Sequence, residues 1–411
     1  MVDTASPLAP RPDHVPPELV FDFDLFDIPG ADYDVQLAMR AYQQRCDSLF
    51  WTPRNGGHWV AMRAADLRVM QRDYAVFSNS SYLIPRKPPD MPKELPLECD
   101  PPRHTMLRRP LTSGLMPRVV KRLEQGIRSL AIELIENVYA KGSCEFVGDI
   151  AQALPIAVFL DLVELPREDR AALRPISEQV VHGQTQAERE EGYRKVYEYL
   201  RPHILERRAS PRDDLLSAVV NVQDGDRRIS EADAFSYASL VLFGGLDTVA
   251  SLLGFVARYL IRDERIRREL IANLNDEDYL RTASEELLRR NGVASTARLV
   301  MRDTELNGLK LKEGDMVLTL HQMAGLDERM IPDPLTLDLR RSPIGTHTIF
   351  SSGPHSCPGS MLARRELTIF LQEWLKRIPD YEIVPGTKPK TATAPVCCLT
   401  EMYLRWQPTV T

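Results

Sequence analysis

A mainly α-helical fold with small β-sheets is what this sequence predicts, on three observations. Apolar residues recur at helical spacing through 118–141, 150–165, 168–182, 186–208 and 231–261, the signature of helices that bury one face. Gly142, Pro166, Gly183 and Pro211 break the shorter runs, as helix-terminating residues do. Between Leu49-Phe50-Trp51 and Trp59-Val60-Ala61-Met62 stands Asn55-Gly56-Gly57, a turn signal that calls for a β-hairpin. Finally, a glycine-free run from Ser360 to Arg377 follows Cys357, with Ala363, Leu367, Phe370, Leu371, Trp374 and Ile378 at helical spacing. An amphipathic helix therefore starts just after that cysteine.

The 411 residues are 43% hydrophobic and 27% charged, an ordinary composition for a soluble protein. The length allows two or three domains, yet no Gly/Ser-rich linker divides the chain, and it suits one large α-rich fold. The expected organisation is a flexible N-terminal arm at 1–17 and a single domain at 18–411. Met1 to Pro17 is Pro-rich and polar, without the apolar centre of a signal peptide. A net charge of −6 argues against nucleic-acid binding and against attachment to a membrane surface. No run of apolar residues approaches the roughly 20 that span a bilayer. Six cysteines lack paired spacing, apart from the neighbours Cys397 and Cys398, so neither a zinc site nor a disulfide framework emerges. A reduced, cytoplasmic, soluble monomer is expected.

In chain order, the hairpin is followed by a Pro-rich, irregular stretch from Ser78 to Pro102. A loop of that length in a compact fold is functional or disordered; a substrate lid is one reading. His104 and Arg108 then share a helix face one turn apart, which fits either a solvated basic face or an anion site. In the long apolar run, Gly244-Gly245-Leu246-Asp247-Thr248 stands mid-helix. Each interior glycine costs about 1 kcal/mol relative to alanine, so the pair implies a helix that is opened or closely approached there. Thr248, four residues after Gly244, is placed to bond that carbonyl and hold a local bulge open; a small-residue packing site is the plainer alternative. Glu286 and Arg289 are an ion pair at i,i+3, a weak pattern alone. Leu306 to Leu320 and Thr391 to Thr400 read as short strands and turns.

At Phe350-Ser351-Ser352-Gly353-Pro354-His355-Ser356-Cys357-Pro358-Gly359 the signal sharpens. A cysteine at a helix N-terminus feels the positive end of the dipole, which favours thiolate, although a buried structural cysteine is the bland reading. The whole pattern, Phe-x-x-Gly-x-His-x-Cys-x-Gly before a long helix, resembles the haem-binding loop of the cytochrome P450 family. Gly244 to Thr248 is similar to that family's oxygen-activating signature, and Glu286-x-x-Arg289 to its structural pair, in the required order. Within the family, Asn55 to Trp59, Gly325 to Arg329 and Leu362 to Glu366 resemble the soluble bacterial camphor-hydroxylating group.

The resemblance implies a triangular, α-rich fold enclosing haem b, with Cys357 as the axial thiolate ligand of the iron. His104, Arg108, Arg298 and His355 would hold the propionates, with Gly244 and Phe350 also lining the haem. Asp247 and Thr248 would be an acid–alcohol proton relay. Arg341, with Arg340 as a rival, would complete the Glu286–Arg289 cluster. The implied activity is a monooxygenase acting with O2 on a small lipophilic, terpenoid- or norisoprenoid-like molecule in a pocket of Tyr82, Leu83, Leu240, Phe243, Ala294 and Val396. Electrons would come from a two-iron ferredoxin and its reductase, with Arg108 and Arg109 near the docking face. The rivals are a haem protein that senses ligands without turnover, and a peroxide-using haem-thiolate enzyme. Three departures stand out: Ser351 where the loop usually has glycine, Pro358 after the cysteine, and Pro92 where camphor-hydroxylating members have a ketone-binding tyrosine.

Overall fold

Residues 8–87, 93–182, 186–343 and 345–408 are described in a computed structural model of the chain. The hairpin forms as expected: Leu49–Thr52 runs antiparallel to His58–Ala61, with Trp51 opposite Trp59. Asn55 (φ 54°), Gly56 (φ 90°) and Gly57 (φ 80°) make the turn in left-handed conformations, which is why it needs Asn and Gly. The hairpin is one edge of a five-stranded sheet that continues through Met316–Thr319 and Thr296–Val300 to Phe77–Ser78. Only the Met316–Thr319 pairing with His58–Ala61 is parallel.

Residues 8–17 are not a free arm. Val15 is fully buried in the sheet's own core, the Ala9 amide donates to Pro53 at 2.9 Å, and His14 bonds Asp315 at 2.9 Å. The burial of Val15 and these hydrogen bonds each offset part of the entropy lost when the segment is ordered. Residues 1–7 lie outside the described part, as does Pro92.

Helices Pro117–Tyr139, Arg170–His182, Gln186–Ala209 and Glu231–Arg262 follow the expected runs to within a few residues. The run at 150–165 divides into a π-turn, Val147–Ala151, and the helix Ala153–Leu162. Glu231–Arg262, the central helix, is capped by the Ser230 side chain, which accepts from the Asp233 amide at 3.0 Å. It runs unbroken through Gly244 and Gly245, so no bulge opens there. By length and composition it could cross a membrane, its most apolar 18-residue window having a mean hydropathy of 1.9. That corrects the expectation that no apolar run approaches such a length. Neighbours explain the apolarity: the helix packs against Ala153–Leu162, Leu215–Val220, Gln186–Ala209 and the strand Cys398–Glu401. Up to Leu246 its buried residues belong to one hydrophobic core, and from Val249 onward to another. Asp247 and Thr248 fall at the seam.

Candidate active site

The cysteine loop is shaped by backbone demands. Gly353 (φ 69°) lies so near the Gln71 carbonyl that a Cβ would meet its oxygen at 2.6 Å, so only glycine fits. Ser351, the departure from the expected glycine, adopts a left-handed φ of 58°, and its hydroxyl is buried without a partner. The Cys357 amide donates to the Phe350 carbonyl at 2.7 Å, closing the loop. Behind it runs the helix Ser360–Arg377, with Gly359 as N-cap.

Cys357 is exposed, so its sulfur is open to a ligand. Burial raises its thiol above the usual value. Opposing this are a hydrogen bond from the Gly359 amide, the Arg108 and Arg364 charges, and a bond from the Ser360 amide. Those are the two N–H groups left after Pro358, which has none. This donor set favours sulfur as an anion, the state a metal ligand requires.

One helix, Arg103–Gly114, joins this loop to the central helix. Arg108 donates to the Ser356 carbonyl, and the Tyr237 hydroxyl of the central helix donates to Leu107. Two turns further along the central helix, Gly244 and Gly245 are exposed in the middle of a segment whose other residues are buried or half-buried. A Cβ added at either would meet nothing within 4 Å, so protein packing does not account for these glycines. Thr248 Oγ1 donates to the Gly244 carbonyl at 2.9 Å, the bond expected from the spacing. The Asp247 carboxyl is pushed up to about 7 by burial, so it exchanges protons near neutrality.

Three further residues fit the carboxylate end of a haem. His104 and His355 lie with ring centroids 4.1 Å apart. Both His104 nitrogens are buried and unpartnered, and burial, then the neighbouring His355 and Arg108, lowers this group to about 3. His355 takes a 3.3 Å bond from Asn79 at Nδ1; its Nε2 is 3.9 Å from Asp100, too far for a hydrogen bond. Arg298, from the strand Thr296–Val300, is 2% exposed and, among the described residues, bonds Thr296 and the Ala297 carbonyl. Burial lowers it to about 10. A buried guanidinium without a bonded carboxylate and a buried imidazole with two bare nitrogens are the groups that propionates satisfy. Phe350 packs under Arg364, whose guanidinium stands 4.4 Å from the ring centroid.

The structural cluster also assembles. Arg289 grips both Glu286 oxygens at 2.7 and 2.8 Å, and Arg341 reaches Glu286 Oε1 at 3.1 Å. Arg340 instead stacks on Tyr279 at 4.8 Å, which decides between the two candidates.

The apolar wall is less uniform than its residues imply. Ala294 pairs with Val396 in an isolated bridge, and Phe243 packs edge-on to Tyr193 with centroids 6.0 Å apart. Leu83 and Leu240 are half-buried. The Tyr82 hydroxyl donates to Glu94 at 2.5 Å, so it is already engaged. Arg109 is exposed while Arg108 turns inward, leaving Arg109 alone of the pair available to a docking partner. Sequence reasoning missed Asn79, Asp100 and the fully enclosed His321, which bonds Gln71 at 2.7 Å and Thr296 at 2.8 Å. Only their convergence from distant segments marks them, and no local spacing carries that.

Comparison with known proteins agrees with this geometry. The cytochrome P450 family model matches residues 179–401. A probable cytochrome P450 127A1 of Sinorhizobium fredii is 34% identical over 406 residues, covering 97% of both chains. A steroid C26-monooxygenase of Mycobacterium tuberculosis is 30% identical over 374 residues, 88% of this chain and 91% of that protein. The crystal structure of CYP101J2 superposes with a TM-score of 0.86 at 35% identity, covering 97% of this chain and all of that one. On these relatives, the chain belongs to the cytochrome P450 family and is a haem-dependent monooxygenase.

Proposed function

We propose that the enzyme inserts one oxygen atom from O2 into a small lipophilic ring compound of terpenoid or norisoprenoid type, in the cytoplasm and as a monomer. A two-iron ferredoxin and its reductase supply the electrons, with Arg109 on the docking side. The observation that carries the reading is the Gly244–Thr248 face. There an unpacked stretch of helix presents a hydroxyl, next in sequence to a carboxyl that titrates near neutrality.

Cys357 would hold the iron through its sulfur, whose charge the Gly359 and Ser360 amides would spread. Bound there, the haem supplies the electron-transfer and oxygen-activating chemistry. His104, Arg108, Arg298 and His355 would meet its propionates. The Thr248 hydroxyl, whose proton goes to the Gly244 carbonyl, would hold a water through its lone pairs beside the haem, and Asp247 would exchange protons with solvent. Leu83, Leu240, Phe243, Ala294 and Val396 exclude water around the substrate and hold it by contact area. An acid–alcohol pair at Asp247 and Thr248, with Thr248 bonded to Gly244 beside an unpacked stretch of helix, is the feature that favours this reading over the non-turnover and peroxide-using alternatives.

The test is a titration of compact lipophilic compounds against the low- to high-spin shift of the haem, followed by turnover with a two-iron ferredoxin. A terpenoid or norisoprenoid ring ketone should give the fullest shift and a hydroxylated product. Preference for long-chain or charged compounds would reject the substrate class. Thr248→Ala should bind the same compounds but release much of its reducing power as hydrogen peroxide; an unchanged product yield per reducing equivalent would take Thr248 out of the mechanism.

A further inference from the structure

Gln152 sits at the junction of the π-turn Val147–Ala151 and the helix Ala153–Leu162. Its side-chain carbonyl oxygen, Oε1, is buried and has no hydrogen-bond partner. It lines a small pocket together with Asp247 and Ser251 of the central helix and Cys398 of the adjoining strand. The pocket has a volume of about 10 Å³, room for one water molecule. Asp247 and Ser251 are one turn apart, whereas Thr248 is rotated by about 100° from Asp247. The pocket therefore lies on a different face of the helix from the Thr248 hydroxyl.

The polar groups in it are complementary to water. Among the described residues, the Asp247 carboxylate has no hydrogen bond or ion pair. Ser251 spends its proton on the Asp247 carbonyl at 2.6 Å, so its lone pairs remain free to accept. Gln152 Oε1 is an acceptor without a donor, which is costly in a buried place. A water with two hydrogens and two lone pairs satisfies Gln152 and Asp247 at once, in a space of its own size.

We propose that this pocket binds one water, that Gln152 is the positioning residue which orients it, and that the water hands protons from solvent to the Asp247 carboxylate. The inference rests on Asp247 being part of the proton relay. Only a proton moves: the water takes a proton from solvent as its own O–H bond breaks and a new one forms on the carboxylate, so that no hydroxide is left in the pocket. Gln152 Oε1 takes one water hydrogen and so turns the other toward Asp247. The burial that places Asp247 near pH 7 lets it accept and release that proton easily. Among the described residues, the titratable group facing Asp247 is Cys398 on the strand packed against the helix, whose thiol burial keeps neutral at about 12; Gln152, on the facing turn, carries no charge.

The first test uses the unmodified holoenzyme. A crystal structure should show one water within hydrogen-bond distance of both Gln152 Oε1 and the Asp247 carboxyl; a dry pocket overturns the proposal. The second follows the Asp247 carboxyl by isotope-edited infrared spectroscopy in Gln152→Leu, an apolar change of comparable volume checked for an intact Soret band. Without its water the carboxylate is less solvated, so its midpoint should rise by about one pH unit, a tenfold gain in proton affinity. Ferredoxin-driven oxygen uptake should slow by on the order of tenfold with a larger solvent deuterium isotope effect, and Gln152→Glu, which keeps an acceptor oxygen, should recover it. An unchanged Asp247 titration in Gln152→Leu sinks the inference and leaves the monooxygenase reading standing. Native product yield and pH profile in Asp247→Asn would instead reject the relay, and the water's role with it.

Discussion

Replacing Glu286 by glutamine should cost this protein about 3–5 kcal/mol of stability, the range for breaking a buried ion pair. Arg289 is fully buried, and Glu286 is 2% exposed. Two of the Arg289 bonds go to Glu286, at 2.7 and 2.8 Å, and two more to the Gly325 and Pro334 carbonyls, at 2.6 and 2.7 Å. The Asp338 amide and Arg341 also converge on Glu286 Oε1, both at 3.1 Å. Two carboxylate oxygens thus serve four donors. The amide has one oxygen, so its NH2 must face at least one N–H group and leave it bare, at about 1–3 kcal/mol. The remaining bonds lose their charge assistance, roughly 1 kcal/mol each. The guanidinium also keeps its charge without a counter-ion in a place from which water is excluded. These effects overlap, and together they reach the stated range. The cluster ties the helix Glu277–Arg290 to the segment leading into the cysteine loop, so haem retention should fall alongside stability. The assay is urea denaturation followed by far-ultraviolet circular dichroism, with haem content measured on the same samples. A loss under about 1 kcal/mol with full haem content would show that the carbonyls alone satisfy Arg289, and the electrostatic argument would fail.

Three other outcomes follow from the site. Burial places the folded Asp247 near 7 against an ordinary value of 3.8, so between those values the folded state holds a proton that the unfolded chain has lost. Stability must then decline as pH rises through that window and level off above it; Asp247→Asn should flatten the decline, and parallel unfolding curves for the two proteins would contradict it. Pro358→Leu restores an amide beside the Cys357 sulfur, spreads its charge further, and should raise the reduction potential of the substrate-free enzyme; an unchanged or lowered potential with an intact thiolate spectrum would make Pro358 purely structural. Ser351→Gly relieves a left-handed backbone and a bare buried hydroxyl, for a net stabilisation of about 1 kcal/mol after the glycine's chain-entropy cost, and a lowered denaturation midpoint would refute this.

Much of this enzyme was legible without coordinates because its chemistry is carried by local patterns. A cysteine between glycines ahead of an amphipathic helix, a glycine pair four residues before a threonine, and Asn-Gly-Gly between apolar runs each express a backbone requirement within a few residues. Thr248 bonds Gly244, Asn55 turns the hairpin, and the amides of Gly359 and Ser360 reach the sulfur as their spacing demands. Periodicity likewise marked the central helix, though not that its apolar length is absorbed by two cores meeting at Asp247 and Thr248. What tertiary structure alone decided are the meetings between distant segments. Val15 folds onto a sheet that composition made it seem to leave, because burial depends on what lies opposite and not on flanking prolines. Arg341 rather than Arg340 turns to Glu286, and Tyr82 spends its hydroxyl on Glu94. Gln152 joins Asp247 around a single-water pocket across 95 residues of chain. Such contacts are set by packing among side chains far apart in sequence, where no short-range periodicity constrains which polar groups are brought face to face.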